Sequence, residues 1–151
     1  MISIGIRAAP GVVTFAVYDS GAGRVLNVEA IRIPAAFSTP DGLKYLRSNL
    51  LDVLREYKVE QAGVRTTEPS AKNPSVERIQ IEGVIQETFA SSELAGYYVG
   101  QVASISARLG IERTAFKPLI AGETSYNIEN WKEMSPVERE AVLCAIGAVR
   151  V

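Results

Sequence analysis

The chain contains no histidine and a single cysteine, Cys144. That absence removes imidazole bases, Ser/His and Cys/His nucleophilic pairs, and histidine-held metals. Cys144 sits between Leu143 and Ala145-Ile146 and reads as a small buried hydrophobe. The chemistry left to this sequence belongs to its carboxylates and guanidinium groups. Arg65, Lys72 and Arg78, with Tyr97 and Tyr98 close behind, are residue types that could grip a single nucleic-acid strand through charge and stacking. Glu82 lies three residues from both Ile79 and Ile85, which turns it toward the packed side of a helix, with Arg78 one turn back as a candidate ion partner. Gly21-Ala22-Gly23 does not open a helix after a strand and reads as a hairpin turn. Gly122-Glu123-Thr124-Ser125 lacks the lysine of a phosphate-binding loop.

The elements that position these residues begin in strand language. Ile2, Ile4 and Ile6 alternate with small residues, Pro10-Gly11 turns the chain, and Val12 to Tyr18 is β-branched and aromatic. Asp19 to Gly23 is a second turn cluster, and Val25 to Ile33 is a third extended run, so three antiparallel strands are expected. After Pro34 the period changes. Leu43, Leu46, Leu50, Val53, Leu54 and Tyr57 recur at helical spacing, with Thr39-Pro40-Asp41 as the expected start. Gln61 to Thr66 reads as a buried strand. Asn73-Pro74 marks a second helix start before Val76 to Phe89, whose apolar residues spread widely enough to predict cover on more than one side. Tyr97 to Val102 is a fifth strand, Ser104 to Leu109 a short helix, and 112–134 a long, partly helical connection. Ser135-Pro136-Val137-Glu138 combines proline at the first helical position with a capping box, opening a final apolar helix over Ala141 to Val149.

At 151 residues and 47% hydrophobic composition, one domain spanning 1–151 is expected. A net charge of −1 supplies no general field for nucleic acid, leaving only a local patch to do so. The apolar N-terminus carries Arg7 and is broken at Pro10-Gly11, unlike an export signal, and no run is long enough to span a membrane. With one cysteine, the expectation is a cytoplasmic protein without a membrane partner.

Three antiparallel strands followed by helix, strand, helix, strand, helix require a mixed five-stranded α/β sheet flanked by helices. That order is the ribonuclease H-like order. The motifs resemble those of RuvC-type Holliday junction resolvases, whose first strand carries Gly-Ile-Asp-x-Gly; here the stretch is Gly5-Ile6-Arg7-Ala8-Ala9. The resemblance implies metal-binding acids at the first strand, at the end of the fourth, and at the opening of the last helix. In this chain the first two positions correspond to Arg7 and, in Ala62-Gly63-Val64-Arg65, to Arg65, while Glu140 matches the third. A second resemblance is to a small bacterial family of uncharacterised ribonuclease H-like proteins of similar length. It is carried by Gly63-Val64-Arg65-Thr66, Ser70-Ala71-Lys72, Ile81-Glu82-Gly83-Val84-Ile85 and Glu140-Ala141-Val142.

Two readings follow. In the first, guanidinium groups at Arg7 and Arg65 repel divalent ions, there is no metal or other cofactor, and the domain is a non-catalytic binding or assembly module. A homodimer is its expected state, nucleic acid a candidate partner, and Arg7, Arg65, Lys72 and Arg78 the binding residues. In the second, Glu68, Glu82 and Glu140, with Asp19 as a further candidate, hold Mg²⁺ or Mn²⁺ in an active nuclease. The bland alternative is that Arg7 and Arg65 pair with Glu68, Glu82 or Glu140 in a structural ion network.

Overall fold

A computed structural model describes residues 1–150. Its strands are β1 (Ile2–Ala9), β2 (Val12–Asp19), β3 (Arg24–Arg32), β4 (Gln61–Arg65) and β5 (Gly96–Gly100). They form one five-stranded sheet in the order β3-β2-β1-β4-β5. The hairpin strands pair antiparallel, while β4 lies parallel to β1 and β5 parallel to β4. This is the mixed sheet expected from the sequence, because tight turns can join only antiparallel neighbours and helical crossovers bring the chain back in parallel.

Strand alternation sorts side chains onto two faces. Ile4, Ile6 and Ala8 of β1, with Val13, Phe15 and Val17 of β2 and Ala62 and Val64 of β4, form one core with α1 (Thr39–Glu56) and α2 (Val76–Ser91). The opposite face holds Ala16 and Tyr98 and is covered by α3 (Val102–Leu109), α4 (Phe116–Ala121) and α5 (Pro136–Gly147). α5 is almost wholly buried from Ala141 to Ala145, which explains its uninterrupted apolar sequence.

Several local boundaries differ from expectation for identifiable reasons. Ser38, not Thr39, caps α1: its hydroxyl accepts the Asp41 amide at 3.3 Å. Ser75, not Asn73, caps α2, accepting the Arg78 amide at 3.1 Å. In both cases the capping hydroxyl stands three residues before the orphan amide that it accepts. β5 ends at Gly100 because Gln101 and Ser104 form a reciprocal cap that starts α3 at Val102. The broad apolar spread of α2 is not fully covered: Ile81, Ile85 and Phe89 pack inward, whereas Val76 and Ile79 are 71% and 46% exposed. The capping box of Ser135 and Glu138 forms as expected. Among the described residues, no helix is long and apolar enough to cross a membrane.

Candidate functional site

The α5-facing side of β1 carries Ser3, Gly5 and Arg7. Gly5 lets the helix approach the sheet: a methyl group there would lie 2.1 Å from both the Ala141 carbonyl oxygen and the Ala145 amide nitrogen. Beside it, the Ser3 hydroxyl donates to the Ala145 carbonyl at 2.7 Å. On β4, Gly63 is the register partner of Gly5 and leaves room for the Tyr98 ring, 2.3 Å from where its Cβ would stand. Seated so closely, α5 brings Glu140, in its opening turns, over the ends of β1 and β4.

Arg7 and Arg65 are register partners there, pointing to the same face. The Glu140 carboxylate stands between them, with Oε2 3.3 Å from Arg7 Nε and Oε1 3.1 Å from Arg65 Nε. The second contact lies off the hydrogen-bond line of Arg65 Nε, so its attraction is chiefly coulombic. Arg7 also faces Glu82 Oε2 at 3.9 Å and donates through Nη1 to the Arg65 carbonyl at 3.2 Å. Arg65 faces Glu68 Oε1 at 3.7 Å and donates through Nη1 to the Thr66 carbonyl. Side-chain exposure is only 12% for Arg7, 9% for Arg65, 5% for Glu82 and 14% for Glu140, so water screens these contacts weakly. Burial lowers the Arg65 pKa from its usual range, the Arg7 charge adds to that, and Glu140 and Glu68 oppose it.

The carboxylates are committed to further partners. Glu82 Oε2 accepts both the amide and the hydroxyl of Thr67, each at 2.9 Å. Its ion partner is Arg7 of the sheet rather than Arg78 on its own helix. Glu68 Oε1 accepts the Val102 amide at 3.1 Å, tying the segment after β4 to the start of α3, and Gln101 Nε2 donates to the Thr67 carbonyl at 3.1 Å.

A divalent-ion site would need three or more such oxygens turned to one point, and among the described residues no group of three or more acids or thiols is so arranged. Glu68, Glu82 and Glu140 are gathered, but around two guanidinium groups. These residues do not fit Mg²⁺ or Mn²⁺.

Asp19 stands at the opposite end of the sheet, paired with Ile2, where its Oδ1 accepts the Gly21 and Ala22 amides of the hairpin turn. It therefore cannot join Glu140. The expected surface of Arg65, Lys72, Arg78, Tyr97 and Tyr98 also does not assemble. Lys72 is exposed on the loop before α2, and Arg78 is partly buried in its first turn. Tyr97 is exposed beside Phe89, whereas Tyr98 is buried on the other face, its hydroxyl donating to the Cys144 carbonyl at 2.8 Å. Adjacent strand residues point to opposite faces, so a Tyr-Tyr pair cannot form one platform.

Arg139 was not singled out by sequence. It is 7% exposed and donates Nε to the Trp131 carbonyl, Nη1 to Ile120 and Nη2 to Lys132, at 3.0, 2.9 and 3.1 Å. Those carbonyls belong to the 112–134 connection, so one buried cation fastens that segment to α5. Its position directly after the capping-box Glu138, two residues ahead of the apolar run that begins at Ala141, was the available signal.

Two solved structures give the fold its context. Thermus thermophilus RuvC superposes with a TM-score of 0.72 at 14% identity, over 97% of this chain and 92% of that one. The T. thermophilus RuvC in complex with a Holliday junction substrate gives 0.71 at 13% identity, over 97% and 91%. No protein-family model matches the sequence, and no curated protein is a significant match. At that identity the likeness is one of architecture: the chain has a RuvC-like, ribonuclease H-like fold.

Proposed function

We propose that this protein is a ribonuclease H-like domain without the metal-dependent chemistry of a nuclease, acting as a binding or assembly module, with a homodimer as its working form. The observation that carries this reading is the Glu140 carboxylate held between Arg7 and Arg65 at 3.3 and 3.1 Å. Metal-dependent phosphodiester cleavage needs concentrated negative charge to hold its ions. Here two fixed positive charges occupy the strand ends, and each nearby acid already has a cationic partner. A divalent cation entering would have to displace a guanidinium and leave it buried unpaired, which costs several kcal/mol.

The same pairing bears on what the module could bind. Arg7 and Arg65 have their charge compensated by Glu82, Glu140 and Glu68, so they serve as a rigid brace for the strand ends more than as a free phosphate grip. Lys72, exposed on the loop before α2, is the cation of that region most open to a partner. Branched DNA is the first nucleic acid to try, because one of the structural neighbours was solved with a Holliday junction.

The test combines Mn²⁺ calorimetry, sedimentation, and incubation with single-stranded, duplex and four-way DNA in Mg²⁺ and in Mn²⁺. No saturable metal binding, a dimeric mass and no cleavage of any substrate are expected. Cleavage that disappears in Glu140→Gln would overturn the reading.

A further inference from the structure

At the end of the sheet away from Arg7 lies a cavity of about 470 Å³, between the end of β2, the end of α3, the last turns of the chain and the 112–134 connection. Its walls include Tyr18, Tyr126, Arg108 and Arg150. Arg108 lies with its guanidinium carbon 4.0 Å from the centre of the buried Tyr98 ring, which holds it against the protein. Arg150 is exposed on the turn that follows α5. Among the described residues no carboxylate lies within ion-pair distance of either guanidinium, in contrast to Arg7, Arg47, Arg55 and Arg65.

The C-termini of α3 and α5 both end near the cavity, and each contributes the equivalent of about half a negative charge. Arg108 and Arg150 bring two full guanidinium charges to the walls against that sum. The two tyrosines add flat apolar faces with polar tips. Burial holds the Tyr126 hydroxyl above its usual pKa, with Tyr18 a smaller contributor, so it remains a neutral donor at ordinary pH. The volume falls within the range of small-molecule sites.

We propose that this cavity binds a nucleoside monophosphate, the phosphate taken by Arg108 and Arg150 and the base set against Tyr18 and Tyr126. A guanidinium fork suits a phosphate dianion, and an aromatic face suits any base. The site is separate from the Arg7 and Arg65 network and stands whether or not the domain binds DNA.

Trp131, the single tryptophan, has its ring 6.1 Å from that of Tyr126 and gives a local optical signal. Titration with AMP should change tryptophan fluorescence saturably, with adenosine and inorganic phosphate each binding at least ten-fold more weakly. Arg150→Gln, an exposed change that leaves the core intact, should weaken AMP ten-fold or more, and Arg108→Gln should do the same. No saturable change up to 10 mM AMP, equal affinity for adenosine or for phosphate alone, or unchanged affinity in Arg150→Gln would each overturn the proposal.

Discussion

Arg7 and Arg65 stand side by side on neighbouring parallel strands, two like charges in strict register, and the Glu140 carboxylate from α5 is placed between them. Without that carboxylate the strand ends would carry adjacent, poorly hydrated cations. The three residues therefore act as a unit whose members cannot be removed independently.

Glu140→Gln should destabilise the fold by about 3 kcal/mol, since it leaves two largely buried guanidinium groups facing each other. Removing Arg65 as well, in Glu140→Gln with Arg65→Met, should recover a large part of the loss. Urea unfolding of the two singles and the double gives the coupling, and strict additivity would show that the contact carries no energy.

Glycine substitutions should separate sharply by location. Gly5→Ala sets a methyl group 2.1 Å from α5 backbone atoms, which cannot yield without lifting the helix from the sheet. The expected cost is at least about 3 kcal/mol, in the range of severe overpacking. Gly83 lies on an exposed face of α2 with nothing within 4 Å of its added Cβ. Gly83→Ala should therefore stabilise by roughly 0.5–1 kcal/mol through helix propensity. Thermal unfolding of both variants checks the pair.

Arg139→Met removes three donors from buried carbonyl groups while keeping much of the side-chain volume. A loss of about 2–4 kcal/mol is expected from the unsatisfied acceptors. Amide hydrogen exchange should rise most in residues 112–134, because those carbonyls anchor that segment to α5. Uniform acceleration across the sheet would show that Arg139 does not hold the connection locally.

Burial pushes the Cys144 thiol from 9.0 up to about 11, against the smaller downward effect of its hydrogen bond from Tyr98. Tyr98 is shifted upward too, first by burial. A group that keeps its proton more tightly when folded supports the fold below its ordinary pKa and loses that support as pH climbs toward the folded value. Stability should hold up to about pH 9 and fall between pH 9 and 11, and Cys144→Ala should flatten part of that fall. In the native state the thiol should resist disulfide reagents at neutral pH and react on unfolding. Denaturation midpoints across that range and thiol titration test both statements.

Much of the architecture was legible because its determinants are local. The alternation of Ile2, Ile4 and Ile6, the turn at Pro10-Gly11, the heptad-like stripe from Leu43 to Tyr57 and the capping box at Ser135 each act within a few residues, and all form as read. Where local signals competed, as between Ser38 and Thr39 or Ser75 and Asn73, the hydroxyl with the right reach to an orphan amide prevailed.

The chain itself determined that no histidine chemistry is available and that arginine stands at both strand ends. It could not determine which charges meet. Glu82 reaches Arg7 from α2, packed on the opposite face of the sheet, Glu140 comes from near the other end of the chain, and Asp19 is carried to the opposite end of the strands by strand direction. Coulomb energy depends on separation and on how much water remains between charges, and both quantities come into being when helices close onto the sheet. The pairing of Glu140 with Arg7 and Arg65, and the fastening of the long connection by Arg139, are consequences of that closure.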